Sequence, residues 1–463
     1  MRTMAIFVAS LFLGACSLMG GENSVASSDA QVRDIKCGNL SGSQCGAGGE
    51  CADAADCTSG VCLANICQPP TSRDGVKNGD ESDVDCGGTV TQAPRCADGK
   101  SCAGNSDCTG KLCVANICQT PTGTDGIQDG DESDVDCGGT TTGAPRCAVG
   151  KMCNVHADCE SDGCAYDGKC AVGRSCTRQL GGDTCGKGEI GDPMAAHESC
   201  CERAPIDGST AQIDKYLVTA GRMRAFIERL DGNVVSYVSG LGTSTWGHDW
   251  SQYVPASIAD ANEMLGPYWS KRSCAAGSYG GHTYYTSPEF GDTSSFTQDD
   301  LDPKALNCVS WYLANAFCQW DGGRLPSLDE ITNIFTNNST TAWPWGWNDL
   351  STYNPGGQDF RVNHGYNYNY PGPEIDDDSG YVRDIAWYVS PPGRFASGNN
   401  RNGVADAAGN LLEWIDTDPY NFTSTEAWDG PDHPKNLVST SWQGMFPGTP
   451  NGYFSIGFRC AHD

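Results

Sequence analysis

The chain repeats itself, and cysteine marks the repeat. DGVKNGDESDVDCGG at 74–88 returns as DGIQDGDESDVDCGG at 125–139, a period of 51 residues. Six cysteines accompany each acidic stretch in register, from Cys86 to Cys118 and again from Cys137 to Cys170. A leading unit, Cys37 to Cys67, lacks the acidic stretch but keeps six cysteines. A fixed period signals copies of one structural unit. Units this small bury too little apolar surface to fold on a core, so disulfides must replace one. Spacing leaves the connectivity open. Residues 37–170 are therefore expected to form three disulfide-rich repeats, a stiff stalk for whatever follows. A thiolate zinc cluster is the alternative reading. The lack of any CxxC pair and the oxidising compartment implied by cysteine density weigh against it.

In the second acidic stretch, Asp129, Asp131, Glu132, Asp134 and Asp136 fall within eight residues. Hard oxygen donors at alternating positions suit calcium. The expected ligands are Asp129, Asp131, Asp134 and Asp136. A solvated acidic loop is the alternative, because the spacing is not that of an EF-hand. Net charge over the whole chain is −29, which argues against nucleic acid as a partner.

The total of 27 cysteines is odd. After Arg2, the apolar run AIFVASLFLGA leads to Leu13-Gly14-Ala15-Cys16. Such a run is too short to span a membrane as a mature helix and has the length of a signal peptide. Its end resembles a bacterial lipobox, in which Cys16 becomes a lipid-bearing N-terminus. Residues 1–16 are then a lipoprotein signal, and lipid holds the chain at a membrane. An ordinary secretory signal is the alternative. Setting Cys16 aside leaves an even 26 cysteines. Residues 17–36, small and polar, read as a flexible tether. The expected location is the bacterial cell envelope, facing the periplasm or the cell surface.

Residues 171–205 carry Cys176, Cys185, Cys200 and Cys201 as a connector. Beyond, at 206–463, cysteine becomes sparse and aromatics and amides common. Residues 214–230 start extended and become an amphipathic helix with Met223, Phe226, Ile227 and Leu230 on one face. A second helix is expected within 308–324, stopped by Gly322-Gly323. A third, at 325–335, has Ser327 as N-cap and Glu330 closing a capping box. The remainder is glycine-rich loop, which makes the domain α+β.

SWYLANAFCQWDGGRLPSLDEI, AWPWG (342–346), GVADAAGNLLEW (403–414) and GFRC (457–460) occur in that order. Together they resemble the formylglycine-generating enzyme, or sulfatase-modifying factor, family. That resemblance implies a C-type-lectin-like fold with much ordered loop over roughly 200–463. It implies a Cys318–Cys460 bridge, which leaves Cys274 and Cys308 as the remaining pair. It also implies structural calcium held by the side chains of Asp406 and Glu413 and the carbonyls of Gly409 and Leu411. A second family calcium site would begin at Asn363 and continue near Asp377 or Asp378, in a stretch that departs from the pattern.

Enzymes of this family oxidise a substrate cysteine at copper(I) held by two thiolates, which suit so soft an ion. The matching interval, VSTSWQGMFPGTPNGYFSIGFRC, holds no cysteine before Cys460. Related iron enzymes need a histidine cluster, and the seven histidines here are scattered. Neither copper nor iron is expected, and no catalytic residue is assigned. The expected function is a non-catalytic, surface-anchored module that binds a glycan or peptide through WPWGW (343–347), GYNYNYPG (365–372) and SGNNRNG (397–403). A divergent oxidoreductase of the same family is the alternative.

Overall fold

A computed structural model describes residues 43–89, 92–242, 246–247, 250–266, 282–285, 297–341, 343–346, 389–416, 422–423 and 456–463. The chain divides into two compact units, Met1–Gln119 and Thr120–Asp463.

The first unit holds the leading repeat and the second. Their bridges are Cys51–Cys62 and Cys57–Cys67, then Cys86–Cys96, Cys102–Cys113 and Cys108–Cys118. Each repeat has a short 3-10 turn, Ala54–Asp56 or Asn105–Asp107. Each closes with a two-residue hairpin. Strand β1 (Cys62–Leu63) pairs with β2 (Ile66–Cys67), and β3 (Cys113–Val114) with β4 (Ile117–Cys118). In the second repeat the acidic loop is tied to the 3-10 turn by Ser82 Oγ, which donates to Asp107 Oδ2. The DCGG signature has a steric cause. Gly88 sits at φ 78°, and a Cβ there would lie 2.3 Å from the Asp80 carbonyl oxygen. Only glycine permits that approach.

The second unit begins with the third repeat, which reproduces the same plan. Its bridges are Cys137–Cys147, Cys153–Cys164 and Cys159–Cys170, and Ser133 Oγ donates to Asp158. The repeats thus share one connectivity, third cysteine to fifth and fourth to sixth. The close cysteine triads that could have held a metal, such as Cys102, Cys108 and Cys113, have their sulfurs in disulfides. Cys45 and Cys308 are also disulfide-bonded; Cys37 and Cys274 lie outside the described residues.

The third repeat docks onto the domain that follows it. Arg229 donates to the Asp162 carbonyl (2.6 Å) and carboxylate (3.0 Å), and Arg174 pairs with the same carboxylate at 3.2 Å. Both guanidinium groups lie 5.3 Å from the Trp320 ring. The connector is stapled by nested bridges, Cys176–Cys201 and Cys185–Cys200, around the hairpin of β5 (Cys185–Lys187) and β6 (Ala196–Glu198).

Two three-stranded sheets frame the C-terminal domain. In the first, β8 (Gln212–Asp214) lies between β7 (Arg203–Pro205) and the terminal β12 (Ala461–His462), antiparallel to both. In the second, β9 (Leu412–Trp414) lies between antiparallel β10 (Phe422–Thr423) and parallel β11 (Ile456–Gly457). The helices are α1 (Ala220–Arg229), α2 (Val234–Ser239), α3 (Ile258–Leu265), α4 (Gln298–Leu301), α5 (Trp311–Trp320) and α6 (Leu328–Phe335). Ser327 and Glu330 form the capping box of α6. Met223, Phe226 and Ile227 of α1 are buried against α5, with Phe226 edge-on to Phe317 at 5.6 Å. Phe317 meets Phe458 edge-on at 5.4 Å, which brings the terminal segment into the core. Two tryptophans lace β9 to the start of α5: Trp414 Nε1 donates to the Val309 carbonyl and Trp311 Nε1 to the Ile415 carbonyl. Buried indole N–H groups need such partners.

Candidate functional site

The terminal GFRC segment is the hub of the domain. Cys460 is bonded to Cys318 of α5, the pair implied by the resemblance, across 142 residues of sequence. Every cysteine among the described residues is in a disulfide, so none of them presents a thiolate.

Arg459, fully buried, is the residue that sequence reasoning misses. It donates from Nε and Nη2 to the two Glu413 oxygens (2.8 and 2.9 Å). It also donates to the carbonyls of Ala405 and Asp406, and of Asp214 and Lys215. One guanidinium therefore ties β8, the 405–413 loop and the C-terminus together. The signal lies in GFRC itself, where the cysteine draws notice and the arginine beside it does not.

This geometry bears directly on the calcium set Asp406, Gly409, Leu411 and Glu413. Both Glu413 oxygens are forked by Arg459, which supplies the positive charge an ion would bring. Asp406, at φ 50°, accepts from the Gly393 N–H at 2.8 Å. The Gly409 carbonyl accepts from Leu411 N at 2.9 Å. Asn410 is held by a reciprocal pair with the Ser390 backbone. The residues as arranged do not fit a calcium cage, because one of the two carboxylates is already bidentately neutralised. Asn363, Asp377 and Asp378 lie outside the described residues.

A second buried ionic cluster braces the same region. Arg222 of α1 donates to Asp214 (2.9 Å), Asp321 (2.8 Å), Ser175 Oγ (2.8 Å) and the Cys200 carbonyl (3.0 Å). His462 Nε2 lies 2.9 Å from the other Asp214 oxygen. Burial works against ionising Asp214, but Arg222 and His462 outweigh it and bring its pKa down to about 2. Its folded value lies below the ordinary 3.8. Asp214 therefore stabilises the fold above about pH 4, and that contribution is lost as pH falls toward about 2. We expect Asp214→Asn to lower stability at pH 7, with the gap to wild type closing between about pH 4 and 2. Urea unfolding across that pH range measures it.

The loops expected to bind ligand are partly structural. Trp343 is buried and stacks on the half-buried Trp345, ring centroids 4.8 Å apart. In SGNNRNG, Asn400 Oδ1 accepts from Asn402 N and Val404 N, Asn402 Nδ2 donates to the Pro205 carbonyl, and Arg401 pairs with Asp207. These groups anchor the loop to β7. Residues 347–388, including GYNYNYPG, lie outside the described residues.

In the acidic loop of the third repeat the carboxylates separate into two groups. Asp131 accepts from Thr140 N (2.7 Å) and from Thr141 N and Oγ1, and the Thr141 hydroxyl and Thr140 amide hold its carboxyl below the usual range. Asp134 accepts from Met152 N (2.8 Å) and Val135 N (2.7 Å), which likewise lower its pKa. These two close the fold of the repeat. Asp129 instead faces the carboxylates of Asp125, Glu132 and Asp136.

Comparison with known proteins agrees with the motif order. The profile of the sulfatase-modifying factor enzyme 1-like domain matches residues 189–463. Similar solved structures include CarF, 14% identical over 54% of this chain and 85% of that one, with a TM-score of 0.28. Another is PvdO from Pseudomonas aeruginosa, 17% identical over 55% of this chain and 80% of that one, with a TM-score of 0.26. A search of curated proteins finds no match. With its α+β C-terminal domain preceded by disulfide-rich repeats, the chain belongs to the sulfatase-modifying factor enzyme 1-like family.

Proposed function

We propose that the chain is an envelope-anchored lipoprotein whose sulfatase-modifying-factor-like domain binds a glycan or peptide and has no copper oxidase activity. The supporting observation is the absence of a cysteine pair in the interval before GFRC. Copper(I) chemistry of the family needs two thiolates on one ion. Here the interval before GFRC has no cysteine, and the sulfur of Cys460 is bonded to Cys318. Fold alone does not set activity, so the loops around the frame of the domain carry the recognition. Aromatic faces and amides of the kind concentrated in 343–372 stack on and hydrogen-bond to sugars and peptides. Cys16 lies outside the described residues, and its lipid would hold the repeats and the domain at the membrane. Among the described residues no helix is long and apolar enough to cross one.

The full chain in detergent, loaded with copper(I) and given a cysteine-containing peptide, is expected to consume no oxygen and leave the peptide unchanged. The same preparation on a glycan and peptide array is expected to bind a defined subset. Uptake of one copper with oxidation of the peptide cysteine would replace this reading with the oxidoreductase one. For the anchor, radiolabelled fatty acid is expected to mark the wild-type chain and not Cys16→Ala; equal labelling of both would remove the lipoprotein assignment.

A further inference from the structure

We infer that the acidic loop of the third repeat is a calcium site built from Asp125, Asp129, Glu132 and Asp136, with a weaker counterpart at Asp74, Asn78, Glu81 and Asp85 of the second repeat. Several buried oxygens in this loop lack a donor. Asp129 is 2% exposed, and neither of its carboxylate oxygens has a hydrogen-bond partner. Glu132 is 6% exposed, and its Oε1 has none. Its other oxygen, Oε2, accepts from the backbone N–H groups of Asp129 (3.4 Å) and Asp136 (3.2 Å). The backbone thus grips one side of the carboxylate and leaves the other presented. Buried polar atoms are nearly always paired, so a cluster of unpaired ones calls for a ligand.

The same pattern recurs one period earlier. Glu81 Oε2 accepts from Asn78 N and Asp85 N, both at 3.3 Å, while Glu81 Oε1 and Asn78 Oδ1 are without partners. Asp85 and Asp136 each accept from a glycine N–H, Gly75 and Gly126. These carboxylates keep lone pairs for further acceptance.

One substitution between the copies tells what kind of ligand is wanted. In the second repeat the Asn78 amide donates to both Asp74 oxygens, at 3.1 and 3.3 Å. In the third, Asp129 occupies that position, a second carboxyl set against Asp125. A neutral, donor-bearing side chain has been exchanged for a second negative charge, in a place shielded from water. Asp129 is buried beside the carboxylates of Asp125, Glu132 and Asp136. No three of these carboxylates have oxygens within 4.8 Å of one another as they stand, so a cation draws them together as it binds. All donors are oxygen, several are carboxylates, and the nearby cysteines are oxidised. That chemistry selects calcium over a thiophilic metal, and the irregular spread of ligands suits calcium better than octahedral magnesium. Asp125 is exposed and gives the ion a way in.

The test is calcium titration of the intact, oxidised chain after chelator treatment, with calorimetric Tm recorded in calcium and in magnesium. Wild type is expected to bind calcium, and its Tm to rise in calcium but not in equal magnesium. Asp129→Asn installs the residue that the second repeat already tolerates, so it is expected to fold. It should weaken the tightest calcium step by about tenfold or more, since ligand charge tunes such sites over decades. Glu132→Gln should do the same. No calcium uptake by wild type, an equal response to magnesium, or a tightest step unchanged by Asp129→Asn would each overturn the assignment. A wild-type Tm that does not respond to calcium overturns the assignment even if a variant fails to fold.

Discussion

Arg222→Met is expected to destabilise the C-terminal domain by about 3–5 kcal/mol, the effect of stranding a buried charge. Arg222 is wholly buried and neutralises two buried carboxylates, Asp214 and Asp321. It also satisfies Ser175 and the Cys200 carbonyl. Removing it strips the guanidinium from both, leaving Asp214 with His462 and Asp321 with Ser175 as partners in a place shielded from water. Arg222→Lys should recover little, because an ammonium cannot span four acceptors in a planar fork. The diagnostic is non-additivity. Asp214→Asn and Asp321→Asn placed on Arg222→Met should restore part of the loss, whereas each alone on the wild type should be harmful. Urea unfolding of the single and combined variants measures the cycle. Additive losses would mean that the three side chains do not form one network.

The second large effect concerns the terminal staple. Cys318→Ala with Cys460→Ala opens a loop of 142 residues, and chain-entropy reasoning assigns such a loop about 5 kcal/mol. For a domain of this size that corresponds to a Tm lower by roughly 10 °C. The double variant should also loosen β12 from β8, because the Cys460 carbonyl accepts from Asp214 N at 2.8 Å beside the bridge. Hydrogen exchange at 212–214 and 461–462 should rise together. A Tm within about 1 °C of wild type would show that packing around Phe458, and not the bridge, holds the terminus.

The fold was legible where a local rule meets a local signal. Ser327 and Glu330 give the start of α6 because a capping box lies within four residues. Cysteine density gives disulfide repeats because so small a unit has no other source of stability. The order of four motifs gives the family. Arg459 was hidden because its partners, Glu413, Ala405 and Lys215, are scattered in sequence and meet only through tertiary packing. Connectivity within the repeats was hidden for another reason, since six cysteines at similar spacings allow many pairings. The acids of the third repeat were legible as a group but not by role. Asp131 and Asp134 close turns onto the threonines at 140 and 141 and onto Met152. Asp129 and Glu132 face inward. Which acid does which depends on where the backbone N–H groups point, and residue type does not reveal that. The SGNNRNG amides read as a recognition surface, yet several of them tie their loop to Pro205 and Ile334.

Alkylation of the denatured, unreduced protein, followed by peptide mapping, decides whether the C-terminal domain holds a thiolate pair. Residue 460 is expected in a peptide crosslinked to residue 318, with no alkylated cysteine anywhere in the C-terminal domain. Recovery of Cys460 in alkylated form, together with a second alkylated cysteine in that domain, would supply the thiolate pair that copper(I) needs and contradict the reading of a domain without that chemistry.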